Sequence, residues 1–292
     1  MSITFQLHTH QRHHHLPFAV LHGNHYCDFP KHKHAFSELF IVTEGSGEHT
    51  VADFQYSLSP GDVFVINGQV EHGFRKVKDL KLVNLMFEPH QPLFETPQLK
   101  MMPGYQALFN IEPIARQTSD YTAKLNLTRS QLDEVLVTVK KIEAEYHYAK
   151  EGFELMVVAL MQQLVINLAR VYQAPELAMN KGTTSLILGR ALAYLEGHIN
   201  SPSLRIEHIA EQAFVSTRQL ERLFKRHLGL TPNQHIRKSR IEKAKQLLAQ
   251  EFTIQQVADE CGFSDSNYFS KCFKTELGVS PREYKKSRSM SG

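Results

Sequence analysis

The last third of the chain contains itself twice, and this repetition constrains the fold more than any other feature. "IEHIAEQAFVSTRQLERLFKRHLGLTP" is echoed by "IQQVADECGFSDSNYFSKCFKTELGVSP". Ser216, Leu220, Phe224, Gly229 and Pro232 recur as Asp265, Phe269, Phe273, Gly278 and Pro281, each 49 positions later. Ala210 recurs as Ala258, 48 positions later, so the second copy has one additional residue in its turn. Each copy reads as a helix-turn-helix. A small alanine lets the two helices approach closely, and Ser216 or Ser264–Asp265 is placed to cap the second helix. That helix buries Leu220 and Phe224, or Phe269 and Phe273, at i, i+4 spacing. It stops at Gly229 or Gly278, with proline close behind.

Burying one face decides what points outward. In the first copy these are Arg218, Glu221, Arg222 and, further along, Lys225; in the second, Asp265, Ser266, Asn267, Ser270 and Lys271. Arginine pairs bidentately with guanine, asparagine with adenine, and acidic groups accept from cytosine, so these side chains suit a DNA major groove. Between the copies, Asn233 to Gln250 reads as one helix rich in Arg and Lys, roughly 27 Å long at about 1.5 Å per residue. Successive major-groove faces of a duplex lie roughly 34 Å apart. From Leu186 onward there are 17 Lys and Arg against 11 Asp and Glu, while the preceding residues carry 16 against 19. A basic tail favours a polyanionic partner. A solvated helix face accounts for any one exposed cation; matched outward residues in two copies favour DNA.

The first half has a different character. Residues 18 to 88 read as short strands with turns, the pattern of a small β-barrel or sandwich. "SELFIVTEGSGEHTV" has an apolar run, a Gly-Ser-Gly turn and a second extended segment, and Pro60-Gly61-Asp62 leads into "VFVI". From about Ser130 the period changes: Leu132, Val135, Val139 and Ile142 form a helical stripe. A second helix, Phe153 to Tyr172, is apolar over most of its circumference and is expected to be covered on several sides. Its most apolar run, Leu155 to Ala169, is too short to span a bilayer and is interrupted by Gln162 and Gln163. Pairing with a second copy and packing against the strands both fit these two helices. Residues 173–185, with Pro175 and Gly182, read as a linker. Cys27, Cys261 and Cys272 form no CxxC pair, which favours a reducing compartment. The first residues lack an apolar signal core, so no secretory signal is expected. The run from His10 to His15 reads as a mobile surface segment.

The two repeated motifs resemble the C-terminal domain of AraC/XylS-family transcription regulators. The similarity covers about Leu186 to Lys286, and its most specific part is Cys261-Gly262-Phe263, Tyr268-Phe269, Phe273-Lys274, Gly278 and Ser280-Pro281. Lys285 departs from the arginine that is common after the tyrosine. In the strand region, His32-x-His34-x3-Glu38-x6-Gly45 and Gly61-x10-His72 resemble the two cupin motifs. Strand pairing in a small barrel places His72 opposite His32, His34 and Glu38, and such a set suits Zn, Fe, Mn or Ni. Asn67, Gln69 and Tyr26 stand where cupin enzymes usually have proline, glycine and glycine. Sensor domains of the AraC family commonly keep these histidines as pocket residues without metal chemistry. The combination looks most like the subgroup that regulates L-rhamnose catabolism. There the resemblance implies DNA contacts from Arg218, Arg222, Asp265 and Asn267.

The expected fold is α+β with two domains. Residues 1–172 form a cupin-like β-barrel with a helical dimerisation segment, 173–185 a linker, and 186–292 an all-α domain with two helix-turn-helix motifs. The expected function is that of a cytoplasmic, homodimeric transcription regulator, an activator, that binds double-stranded promoter DNA. Contact with RNA polymerase is implied by the family. DNA contacts are assigned to Arg218, Glu221, Arg222, Asp265, Ser266, Asn267, Ser270 and Lys271. His32, His34, Glu38 and His72 are assigned to a small-molecule effector, a sugar such as L-rhamnose, with Phe36, Phe40 or Tyr56 as candidate aromatic faces. No catalytic residue, metal, cofactor or membrane is assigned. The alternatives are a metal-binding cupin enzyme or metal-dependent sensor fused to a DNA-binding domain, and a barrel that only dimerises.

Overall fold

The computed structural model describes residues 3–89, 92–118, 124–174 and 183–289. Two compact units divide the chain, Met1–Gly189 and Arg190–Gly292.

The strands of the first unit are β1 (Ile3–Phe5), β2 (Phe18–His25), β3 (Phe29–His34), β4 (Ser37–Val51), β5 (Phe54–Leu58), β6 (Asp62–Ile66), β7 (His72–Phe87) and β8 (Leu125–Asn126). They form one sheet in the order β1-β3-β7-β4-β6-β8, with β2 also on β7 and β5 also on β4. The helices are α1 (Pro97–Lys100), α2 (Pro103–Tyr105), α3 (Glu112–Thr118), α4 (Arg129–Tyr148) and α5 (Phe153–Gln173). Next come α6 (Thr183–His198), α7 (Ile206–Gln212), α8 (Thr217–Leu228), α9 (Pro232–Leu248), α10 (Ile254–Glu260), α11 (Ser266–Leu277) and α12 (Pro281–Ser289).

Alternation along the strands builds a two-faced sheet. Leu39, Ile41, Val63, Val65, Val83 and Leu85 pack with α4 and α5. Phe40, Val42, Phe64, Phe74, Leu80 and Leu82 form a second, aromatic cluster on the other face. The expected Gly-Ser-Gly turn is not a turn. β4 runs unbroken from Ser37 to Val51 along β7, and its register shifts between Val42 and Glu48. Gly45 sits at φ 77°, and a Cβ there would collide with the backbone oxygen of Asp79. Lys76 and Asp79 on β7 also have positive φ, so both strands bend at the same place. The bulges switch the alternation. Phe40 and Val42 face the aromatic cluster before them, and His49 and Val51 face it after them.

The stripe on α4 is buried as expected: Leu132, Val135, Val139 and Ile142 all lie in the core. A Thr128–Gln131 capping box starts the helix. α5 differs from the expectation. By length and composition it reaches a membrane span, with mean hydropathy 1.5, but Val157, Met161, Leu164, Val165 and Leu168 are core residues of this unit. It is covered on one broad face only, since Leu155 is 76% and Met156 46% exposed. The run from His10 to His15 is docked rather than mobile. Arg12 N donates to Tyr146 Oη at 2.7 Å, His13 Nε2 lies 2.8 Å from Tyr146 O, and His15 pairs with Glu154 at 2.6 Å. Imidazoles offer both a flat apolar face and a polar edge, and the α4–α5 hairpin supplies partners for each.

The expected linker is shorter at both ends. Gln173 still belongs to α5 and Thr183 already to α6, while 175–182 lie outside the described residues. The unit boundary falls at Gly189/Arg190 rather than at 186, because Leu186 packs into the first unit's core and Gly189 lies against Pro103 O.

In the second unit each repeat closes around its own small core. Ile209, Ala210, Leu220, Leu223 and Phe224 are buried in the first. Val257, Ala258, Phe263, Phe269 and Phe273 meet Ile241, Ala244 and Leu248 of α9 in the second. Gly229 and Gly278 end α8 and α11 at φ 71° and 77°, the left-handed region that favours glycine.

Candidate functional site

α8 and α11 present the outward residues. On α8, Ser216 is the N-cap, its hydroxyl accepting from Gln219 N at 3.2 Å. Arg218, Glu221, Arg222 and Lys225 follow at helical spacing, all exposed and opposite buried Leu220 and Phe224. On α11, Asp265 is the N-cap, accepting from Asn267 N at 3.2 Å and Tyr268 N at 2.7 Å. Its carboxylate is exposed but already engaged with its own helix. Asn267 and Lys271 are exposed, and Ser266 is half-buried. Ser270 does not fit the expectation well, because its hydroxyl donates back to Ser266 O at 2.8 Å. A serine within a helix commonly makes this bond. Tyr268, 56% exposed on the first turn of α11, was absent from the expected set. Its place between Asn267 and the buried Phe269 was the available signal.

The basic central helix α9 is partly spoken for. Arg240 donates to Ile199 O at 2.9 Å and Ser201 O at 2.8 Å, Lys243 to Asn200 Oδ1 at 2.6 Å and Glu260 O at 2.7 Å. Arg237 pairs with Glu276 at 2.8 Å. These cations brace the unit internally, so the excess charge of the tail overstates what is left for a polyanion.

The second constellation lies in the sheet. β3 and β7 pair His32 directly with His72, as the resemblance to the two cupin motifs implied. His34, Glu38 and His72 are also buried. His72 Nε2 lies 3.0 Å from His34 Nε2, and Glu38 Oε2 is 3.6 Å from His34 Nε2 and 3.9 Å from His72 Nε2. The three histidines of the expected set therefore converge, with Glu38 beside His34 and His72. His32 Nδ1 lies 3.0 Å from Pro30 O, which can only accept, so His32 carries its proton there and its Nε2 is bare. A fourth histidine, His49, completes the cluster, its Nε2 3.0 Å from His72 Nδ1. It belongs to no motif. Burial shifts all of these groups toward neutrality. It pushes the Glu38 carboxyl up to about 8 and the His34 imidazole down to about 3, the latter with help from His32 and His10. His49 and His72 are held well below the usual imidazole range by burial, then by the charges of Arg116 and His49 respectively.

The donor set fits a divalent cation. One ligating nitrogen each from His32, His34 and His72 lies within 4.8 Å of the others. Two imidazoles on one tetrahedral metal place their nitrogens about 3.3 Å apart, given bonds of about 2.0–2.1 Å. The 3.0 Å separation of His34 and His72 is close to that. The candidate sugar-facing aromatics are core: Phe36 stacks on His34 at 4.5 Å, Phe40 on Phe64 at 5.0 Å, and Tyr56 Oη donates to Arg116 O.

Residues 209–287 match the family model described as a helix-turn-helix domain, and residues 19–87 match the cupin domain model. The HTH-type transcriptional activator RhaR of Enterobacter sp. (strain 638) is 30% identical over 258 residues, 88% of this chain and 87% of that one. The HTH-type transcriptional activator RhaS of Salmonella arizonae is 30% identical over 263 residues, 89% of this chain and 88% of that one. A solved transcriptional regulator with an AraC-type DNA-binding domain from Chromobacterium violaceum is 36% identical, covering 36% of this chain and 95% of that one at a TM-score of 0.33. The chain belongs to the AraC family of transcription regulators. Its relatives span nearly its whole length, so cupin sheet and double helix-turn-helix form one regulator of this family. As a family member it is a sequence-specific DNA-binding protein whose partner is promoter DNA.

Proposed function

We propose that this regulator is a cytoplasmic homodimeric activator that reads its promoter through α8 and α11 and answers a small-molecule effector in its cupin unit. It contacts RNA polymerase when bound and carries out no catalysis. The single observation behind the DNA reading is the match between two capped helices, each burying an i, i+4 pair and exposing polar residues on the far side. Arg218 and Arg222 contact guanines, Asn267 an adenine, and Asp265 accepts from cytosine; Glu221, Ser266 and Lys271 lie beside them, and Ser270 contributes little. α9, with 17 residues, spaces the copies by roughly 26 Å of helix. The exposed Leu155 and Met156 on α5 and Val137 on α4 supply an apolar face for a second copy. The effector reading favours a sugar such as L-rhamnose, at the end of the sheet marked by His32, His34, Glu38 and His72. The test is binding of the full chain to its promoter and to scrambled duplex. Arg222→Ala should lose about 1–3 kcal/mol at one base pair with little change on scrambled DNA. An unchanged ratio would remove Arg222 from the contact set.

A second reading is favoured by the nitrogen geometry around His72. Here the sensor holds a divalent cation on His32, His34 and His72, with Glu38 beside them. A bound metal supplies a Lewis-acidic centre for effector oxygens. Metal analysis of protein purified without nickel resins tests it. Stoichiometric metal that disappears in a His34→Ala/His72→Ala variant supports the reading, and metal-free wild-type protein removes it.

A further inference from the structure

The sequence motifs account for His32, His34 and His72 but leave His49 without a role. His49 is fully buried in the second half of β4, with its Nε2 3.0 Å from His72 Nδ1. We propose that His49 is a positioning residue that accepts the His72 Nδ1 proton and so holds His72 Nε2, as a bare lone pair, toward the point that His32, His34 and Glu38 surround. This rests on the reading that a divalent cation occupies that point.

A neutral imidazole carries one proton, so a ring that ligates through Nε2 must carry its proton on Nδ1. Metal-ligating histidines nearly always hand that N–H to a neighbouring acceptor, which settles both tautomer and ring orientation. His32 does this with Pro30 O. Among the described residues, His49 Nε2 lies within reach of His72 Nδ1, at 3.0 Å. To accept there, His49 must keep its own proton on Nδ1. His49 Nδ1 is buried with no hydrogen-bond partner among the described residues. The ring stands nearly perpendicular to Phe40 at 5.0 Å and Phe64 at 5.1 Å.

The placement depends on the bulges. β4 and β7 pair His49 with Phe74 and Val51 with His72, so His49 and His72 are diagonal neighbours on the same face. Without the register shifts between Val42 and Glu48, His49 would point to the opposite side of the sheet.

The test uses the full chain, stripped with chelator and titrated with Co2+, as wild type, His49→Gln and His49→Leu. The Leu variant should bind Co2+ about 10–100-fold more weakly. It should also show an altered cobalt ligand-field spectrum. The Gln variant keeps an acceptor oxygen for the His72 proton and should stay close to wild type. Melting in chelator reports packing alone and should not separate Gln from Leu as cobalt binding does. Equal weakening in both variants, or a Leu variant that binds as tightly as wild type, overturns the assignment of His49 while leaving the metal reading in place. A wild-type chain that binds no Co2+ overturns the metal reading and His49 with it. Should the Leu variant not fold, nitrogen-15 spectra of the wild-type histidines decide: His72 protonated on Nδ1 agrees, and His72 protonated on Nε2 refutes.

Discussion

Replacing Asp265 by alanine removes two things at once, and the structure allows them to be separated. The carboxylate caps α11 through two backbone amides, Asn267 N at 3.2 Å and Tyr268 N at 2.7 Å. Losing such a cap costs about 1 kcal/mol, in a range of roughly 0.5–2. In a domain of about 100 residues that lowers the melting temperature by about 4–8 °C. The same carboxylate, exposed at the head of α11, is assigned to accept from cytosine, a contact of about 1–3 kcal/mol in discrimination. Asparagine caps a helix as well as aspartate does but presents an amide to the groove. Asp265→Asn should therefore melt within a few degrees of wild type while its preferred base moves from cytosine toward adenine. Asp265→Ala should lose both stability and discrimination. Ser216→Ala, at the matching cap of α8, serves as the control, with the stability loss alone. Differential scanning calorimetry and fluorescence anisotropy on a set of single-base promoter variants measure the two effects. If Asp265→Asn melts as early as Asp265→Ala, the capping argument is wrong. If neither variant alters base preference, Asp265 is only a cap.

Three other outcomes are expected. Phe273, fully buried between α11 and α9, should cost about 3–5 kcal/mol when cut to alanine, read as an earlier melt with loss of DNA binding. Charging the exposed face of α5 with Leu155→Lys/Met156→Lys should weaken self-association in sedimentation equilibrium and leave the monomer's melt within about 0.5 kcal/mol. In metal-free protein the first unit should be most stable near pH 6.5. Glu38 keeps its proton in the folded chain up to about 8 but loses it near 4.5 when unfolded, so its contribution declines as pH rises through that window. His34, held down to about 3, and His49 and His72, held well below the usual imidazole range by burial, take up protons only on unfolding below 6.5; together they outweigh Glu38, so stability also falls as pH drops below 6.5. Glu38→Gln should flatten the alkaline side of the melting profile, and an unchanged profile would refute the assignment.

Some of this was open to reading from the chain alone. The pairing of His32 with His72 was what the resemblance to the two cupin motifs implied, and β3 and β7 form it. The outward sets on α8 and α11 followed from the buried i, i+4 pairs, but exposure did not reveal that Ser270 turns its hydroxyl to Ser266 O or that Arg240 and Lys243 spend their donors on backbone and side-chain oxygens of their own unit. A long side chain reaches several partners, and its choice depends on what distant segments bring near.

What the sequence determined by itself was the repeated helix-turn-helix, since caps, glycine stops and helical stripes act within one or two turns of chain. Tertiary structure alone decided the role of Gly45-Ser46-Gly47, which satisfies a turn and a bulge equally well. Only β7, bending alongside at Lys76 and Asp79, made it a bulge within one long strand. That choice reverses which side chains face inward, and for this reason His49 reaches His72 although no pattern in the sequence connects them.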